Sequence, residues 1–346
     1  MNTEIRYPEL KPLNLKRNSR IVSIGVALPD RVVTNQDIID AYNLIATDRA
    51  VQYSLGIKER RWAYVDQRLE DLMAKAARQC LDRAGIDIDR VDRVIYSRLL
   101  GDYQIPASSI NALRGLGARA GIPAFDISSA CSGFLHAMDI AIRFIDSGDD
   151  YVLVIGGGIA SRGIQILKKP DPSTVFLLGD AVVAMLIGYT EVRHFLSSYI
   201  MTNHFLYNTT YIPFGTSLLK NDPAELDFDV FNMSVPDGKL ILKGAVEHSR
   251  IVAEKLLSDT GLSLDEIDFF ITSDQSTKIW EAQLKALGVP FEKSLSLFYK
   301  YGNTVAAMSP LILDELISSG RLERGDLVMM MAHGAGSSSA GMIFRY

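Results

Sequence analysis

The stretch DISSACSGF, Asp126 to Phe134, sets one of the chain's two cysteines among small residues at the start of a strongly patterned apolar run. Phe134, Leu135, Met138, Ile142 and Ile145 recur at helical spacing, so Cys131 falls in the first turn of an amphipathic helix. Unpaired N–H groups and the positive end of the helix dipole lie there, and both favour a thiolate. The spacing therefore predicts a lowered thiol pKa, the condition for a nucleophilic cysteine, and Ser128, Ser129, Ala130 and Gly133 leave room for a substrate. Free cysteine is also among the most commonly buried residue types, so the local pattern alone admits a core filler as well as a nucleophile. Cys80, on the apolar side of the helical run LEDLMAKAARQCLDRAG, reads as a packed core thiol.

The elements around Cys131 alternate in type. Residues 1–18 read as an extended arm, and RIVSIGVALPDRVVTN as a strand ending in a Pro-Asp turn. The helix carrying Cys80 leads to the strand VDRVIYS, and the helix of Cys131 leads to DYVLVIGGG. STVFLLGDAVVAMLIGY reads as two strands about a Gly-Asp turn. Continuous apolar strands alternating with helices indicate sheets covered on both faces. Residues 191–346 repeat this grammar: compare GDDYVLVIGGG with RGDLVMMMAHGAG. The reading is a short arm, 1–18, and an internal duplication with halves 19–190 and 191–346. The stretch 194–240, rich in Tyr, Phe, Asn and Thr, fits neither half and reads as an insertion near a site.

The bulk properties narrow the function. The 346 residues carry a net charge of -5 with no concentration of Lys and Arg, which sets nucleic acid and anionic membranes aside as partners. Two cysteines make no disulfide framework, and no Cys/His cluster has metal-ligand spacing. Free thiols and the lack of an apolar leader or of a run long enough to span a bilayer point to a cytoplasmic location.

DISSACSGFLHAMDIA, VLVIGG, FLLGDAVVAMLIG, YGNTVAAMSPLILDELISSGRLERGDLVMMMAHGAG and the terminal MIFRY, in this order, resemble the ketoacyl synthase III branch of the thiolase superfamily. The likeness runs from RIVSIGVALPDRVVTNQDI to the end and includes GIKERR. It implies an α/β fold of five layers, helix, sheet, helix, sheet, helix, built from two similar halves, and a homodimer. It also implies acyl transfer from a thioester to Cys131, followed by attack of a malonyl-derived carbon on the acyl-enzyme. Asn303 matches the asparagine that binds the second thioester. The oxyanion hole would use the N–H groups of Cys131 and Ala335, a backbone role that a side-chain methyl does not disturb. No cofactor is implied beyond the acyl and malonyl thioesters of acyl carrier protein or coenzyme A. Ile105, in GDYQIPASS, matches the residue sent into a partner's acyl pocket.

Two departures stand out. The family's histidine, set in a His-Gln-Ala-Asn run, falls on Ser273 of SDQS, and a serine hydroxyl donates a hydrogen bond but forms no cation near neutral pH. Loss of a comparable oxyanion donor costs about 3 to 4 kcal/mol of barrier. Three substitutes present themselves: Asp274 as base through a shift of one residue, which would suit a hydroxyl or amine acceptor or a thioesterase; His204 swinging into the acyl pocket from MTNHFLYNTTY; or Ser273 with Asn303 alone. His333 is expected to pack beside its turn, and His136, His194 and His248 are expected to be structural. The second departure is at the adenine clamp, whose tryptophan and arginine fall on Ala50 and Ser54. That disfavours coenzyme A as donor and favours an acidic acyl carrier protein docked through cations such as Arg250 and Lys278. The leading expectation is a ketoacyl synthase III-type condensing enzyme or acyltransferase. The alternative is a weakly catalytic partner subunit of a heterodimer.

Overall fold

The computed structural model describes residues 5–165, 170–172, 174–213, 233–272 and 274–346. Its strands are β1 (Asn18–Ala27), β2 (Val32–Thr34), β3 (Glu59–Arg61), β4 (Arg93–Arg98), β5 (Ala124–Ile127), β6 (Tyr151–Gly158), β7 (Ala181–Thr190), β8 (Phe195–Thr202), β9 (Phe269–Ile271), β10 (Leu327–Gly334) and β11 (Ser338–Arg345). One sheet has the order β1-β7-β6-β4-β5 and a second the order β8-β11-β10-β9, while β2 and β3 pair separately. Directions correspond between the sheets: β6 runs antiparallel to β7 and parallel to β4, as β10 runs antiparallel to β11 and parallel to β9. A parallel bridge between Phe270 and Ser294 stands where the second sheet would carry a counterpart of β5.

Side-chain alternation along the strands divides the core into layers. Val152 and Val154 of β6 and Val328 and Met330 of β10 all point into one central cluster. That cluster encloses the helices Gly133–Asp146 and Met308–Ser318, so these lie between the sheets. Leu153 and Ile155 point the other way, onto the helix Leu69–Ala84, and Met329 and Met331 face the helices Gly238–Thr260 and Thr277–Leu287. The result is helix, sheet, helix, sheet, helix. Phe134, Leu135, Met138, Ile142 and Ile145 are all buried, each worth about 1.5–3 kcal/mol of apolar transfer. Cys80 is fully buried, with Sγ 3.2 Å from Ser23 Oγ.

The arm meets the second half first, where Tyr199 donates from its hydroxyl to the Pro8 carbonyl at 2.7 Å, and then the end of the first half's central helix, where the Lys16 N–H donates to Asp146 at 2.6 Å. Two expectations are corrected. Residues 174–177 form turns, and β7 is the only strand between them and Thr190. The N–H groups there turn back to the carbonyls of Asp171 and Thr174, and the segment is tied to Asn303, whose N–H donates to the Leu177 carbonyl at 2.7 Å and whose carbonyl accepts from Gly179 at 3.1 Å. The supposed insertion begins later than 194, because Phe195–Thr202 is the edge strand β8, paired antiparallel with β11. Its aromatic and threonine content is that of a half-buried strand.

Candidate active site

Cys131 lies in a 3-10 turn, Ala130–Ser132, which feeds directly into the central helix Gly133–Asp146. Ala130 has φ +45°, a left-handed conformation that L-residues avoid, and it turns the chain sharply from β5 into the helix. The second central helix begins the same way: a 3-10 turn, Val305–Ala307, precedes Met308–Ser318, and Val305 has φ +57°. Strain at a β-branched residue persists only where its surroundings enforce it. Here the Val305 N–H donates to Asn303 Oδ1 at 2.9 Å. The two central helices thus bring Cys131 and Asn303 to one pocket of about 520 Å³.

Asn303 and Gln275 line the pocket beside Cys131, and the carboxamide of each favours the charged form of its thiol. Gln275 is also fastened through Nε2, which donates to the carbonyl of His333. The turn after β10 closes the site from the other side. A Cβ on Gly334 would come within 2.8 Å of the Ser129 carbonyl and 3.0 Å of the Cys131 nitrogen, so the turn reaches the Cys131 backbone only because residue 334 has no side chain. Ala335, next in that turn, lines the same pocket as Cys131. Gly179 has a comparable role opposite, since a Cβ there would fall 1.9 Å from the Tyr301 carbonyl and push the Asn303 segment away.

The expected fall in the Cys131 pKa is not found. Burial pushes the thiol up to about 11, while the hydrogen bonds from Asn303 and Gln275 pull it down. Cys131 packs against the apolar cluster of Leu178, Phe298 and Val305, and loss of water there outweighs the amide donors. The residue is nevertheless only partly buried and lines the pocket wall, so the thiol is reachable and rests protonated near neutral pH.

Asp274 is not the base. Its carboxylate is buried and accepts from Ser296 Oγ at 2.9 Å and from the N–H groups of Leu297 and Phe298 at 2.5 and 2.9 Å, which ties the 296–298 turn in place. Burial raises its pKa to about 6, against those same hydrogen bonds. Asp274 is absent from the pocket lining, so a thioesterase acting through it finds no support in this geometry. Ser273 lies outside the described residues. His204 is exposed, its ring 4.2 Å from that of Phe205, and does not line the pocket, which instead takes Leu206 and Thr209 from the same turn. Leu206 faces inward, while Phe205 and Tyr207 are exposed, as the imidazole is. Ile105 is 84% exposed and stands outside its own chain's pocket. Lys278 is exposed and lines the pocket, whereas Arg250 is exposed on the preceding long helix and donates from Nε to the Ala286 carbonyl at 3.3 Å. Ala50 and Ser54 are both exposed on the helix Asp48–Leu55.

The imidazoles of His333 and His248 share a hydroxyl, that of Ser339, at 2.8 and 3.0 Å. His333 Nε2 lies 2.8 Å from Ser249 Oγ, and burial lowers its pKa to about 3, keeping the ring neutral. His248 is lowered as well, chiefly by burial, and reaches Tyr7 of the arm at 3.4 Å. Gln275 is the site residue that sequence reasoning passed over. Its signal was available: SDQS places a long amide two positions beyond Ser273, at the entry to the helix Thr277–Leu287.

A five-layered α/β fold whose two central helices deliver a cysteine and an asparagine to one pocket is the thiolase-like architecture of condensing enzymes. A family model described as 3-oxoacyl-(acyl-carrier-protein) synthase III matches residues 125–204, and one for the C-terminal part of that family matches 257–346. A β-ketoacyl-(acyl-carrier-protein) synthase III from Syntrophomonas wolfei is 32% identical over 332 residues, covering 94% of this chain and 97% of that protein. Among solved structures, the 3-oxoacyl-(acyl-carrier-protein) synthase III of Aquifex aeolicus VF5 aligns with a TM-score of 0.84 at 30% identity, over 95% of this chain and 100% of the other. The priming β-ketosynthase of the R1128 polyketide biosynthetic pathway aligns with a TM-score of 0.86 at 27% identity, over 99% and 98%. The chain belongs to the β-ketoacyl-(acyl-carrier-protein) synthase III family.

Proposed function

We propose that this protein is a ketosynthase III-type condensing enzyme or acyltransferase that carries an acyl group as a thioester on Cys131. The observation that carries this reading is a reachable thiol at the head of a central helix, held by two carboxamides at the wall of a largely apolar pocket. In the first step Cys131 Sγ attacks the carbonyl carbon of an acyl thioester. The bond from that carbon to the carrier sulfur breaks, and the carrier thiolate leaves with the electron pair and regains a proton. The N–H groups of Cys131 and Ala335 would hold the oxyanion, and Asn303 the carbonyl of the acceptor thioester.

An acyl carrier protein is the proposed donor. Lys278 at the pocket and Arg250, exposed on the helix Gly238–Thr260, supply cations for an acidic partner, and Ala50 and Ser54 offer no aromatic or guanidinium surface to an adenine. A homodimer is proposed through the segment around Ile105, where Tyr103, Ile105 and Ile110 are exposed together. The thioesters are substrates, and no resident cofactor enters the scheme. No helix among the described residues is long and apolar enough to cross a membrane, and the free thiols accord with the cytoplasmic location proposed here.

Intact-mass spectrometry after incubation with matched panels of acyl carrier protein and acyl-coenzyme A thioesters tests the reading. An acyl increment mapped to Cys131 is expected, larger from the carrier protein. No increment from any donor would instead favour a partner subunit in a heterodimer, a role to which the raised thiol pKa also lends itself.

A further inference from the structure

Two carboxamides, those of Asn303 and Gln275, line the pocket with Cys131, and both favour its thiolate. One of them, Asn303, matches a residue of the family pattern, and the other, Gln275, has no assigned part. Gln275 is no loose pocket residue. Its Nε2 is anchored on the His333 carbonyl at the end of β10, one residue before the glycine that touches the Cys131 backbone. His333 is itself held rigidly, by Ser249 on the helix Gly238–Thr260 and by Ser339 on β11. The amide is therefore fixed with respect to both the sulfur and the turn that closes the site.

We infer that Gln275 is a catalytic residue: its carboxamide, anchored on the His333 carbonyl, pairs with that of Asn303 to cradle the negative charge on Cys131 Sγ. The chemistry needs such a device. The sulfur sits against an apolar wall, and the thiolate must exist, if briefly, before it can attack a thioester carbon. An amide N–H donates to that thiolate without itself titrating near neutral pH, and in a dry pocket a fixed donor is worth more than it would be in water. The proton lost from Sγ passes to solvent, and an equivalent proton is taken up by the departing carrier thiolate. No base beside the sulfur is required. This inference rests on the reading of Cys131 as a nucleophile, and it assigns the work of holding the sulfur's charge to a side chain two positions beyond Ser273.

The test measures the thiol itself, so that it does not depend on any acyl substrate. The rate of Cys131 alkylation by iodoacetamide, followed by peptide mass spectrometry, is recorded against pH for the full chain and for Gln275→Leu and Gln275→Glu. Loss of the donor in Gln275→Leu is expected to move the profile to higher pH and to slow alkylation at pH 8 by about tenfold, one unit of pKa. Gln275→Glu keeps the side-chain shape and sets a negative charge by the sulfur, so it is expected to shift the profile further in the same direction. A side chain that merely props the turn would change the amplitude or the stability and leave the midpoint where it was. Unshifted midpoints in both folded variants overturn the inference, even if acyl-enzyme still forms. Shifted midpoints uphold it, even if no thioester donor is ever found.

Discussion

The carboxamide oxygen of Asn303 accepts the N–H of Val305 at 2.9 Å, which commits the amide nitrogen to the side of Cys131. That one bond both holds a β-branched residue at positive φ and orients a donor toward the sulfur. Asn303→Ala removes both functions. We expect the rate of Cys131 acylation to fall by about a hundredfold, in line with loss of an oxyanion-type donor. Asn303→Asp keeps an acceptor for Val305 but turns a carboxylate to the thiol. It should fold better than the alanine variant and alkylate more slowly at pH 8, as urea titration and alkylation rates will show.

The raised thiol pKa sets the shape of the pH dependence. With the folded value near 11, alkylation of Cys131 should climb about tenfold per pH unit between pH 7 and 10. There should be no plateau near pH 7. Cys80, also pushed up to about 11 by burial and closed to solvent, should remain unmodified throughout. Peptide mapping of the same samples reports both sites.

Gly334→Ala should damage activity more than stability. Its Cβ meets the Ser129 carbonyl and the Cys131 nitrogen within 3.0 Å, so the turn must withdraw from Cys131. Acyl-enzyme formation is expected to drop by at least about tenfold, since misplacement on the ångström scale is costly to catalysis. The urea midpoint should move modestly. Equal acylation rates in the two proteins would show that the turn takes no part.

Asp274 makes a prediction about stability. Its pKa is raised on folding, from 3.8 to about 6, so its contribution is fully present below about pH 4 and is lost as pH rises through about 6. Asp274→Asn cannot titrate. Its destabilisation relative to the parent chain should therefore be largest near pH 4 and shrink by up to about 3 kcal/mol by pH 7. Urea unfolding of both proteins at four pH values gives the difference directly. A penalty that grew with pH would contradict the assignment.

Two substitutions separate the remaining histidine questions. His204→Ala should leave acylation unchanged, because that ring stacks on Phe205 outside the pocket. Ser273→His, which restores the family's residue, should increase carbon dioxide release from a malonyl thioester; no increase would argue that position 273 is not where the missing imidazole belongs.

The sequence alone carried the class of fold and the family, and it singled out Cys131 and Asn303 as the residues to look for. Apolar strands alternating with patterned helices report burial, which is local in the chain, and the ordered motifs around Cys131 and Asn303 can be matched residue by residue. Local pattern also misled in places. Val175 to Leu178 looks like a strand, but the N–H groups of Val175 and Leu177 turn back to Asp171 and Thr174, and the carbonyls of residues 176 to 178 accept from Arg60, Asn303 and Trp62, all distant in the chain. Asp274 looks like a base, yet its oxygens are spent on Ser296, Leu297 and Phe298. Only the tertiary structure could decide the state of the sulfur. A helix start argues for a thiolate from neighbours within one turn, whereas desolvation comes from residues such as Leu178, Phe298 and Val305 that meet Cys131 only after folding. The same holds for Gln275, whose amide reaches the thiol because β10, the turn at Gly334 and the helix Thr277–Leu287 converge on one point. Burial and convergence are sums over distant parts of the chain, so no short stretch of sequence contains them.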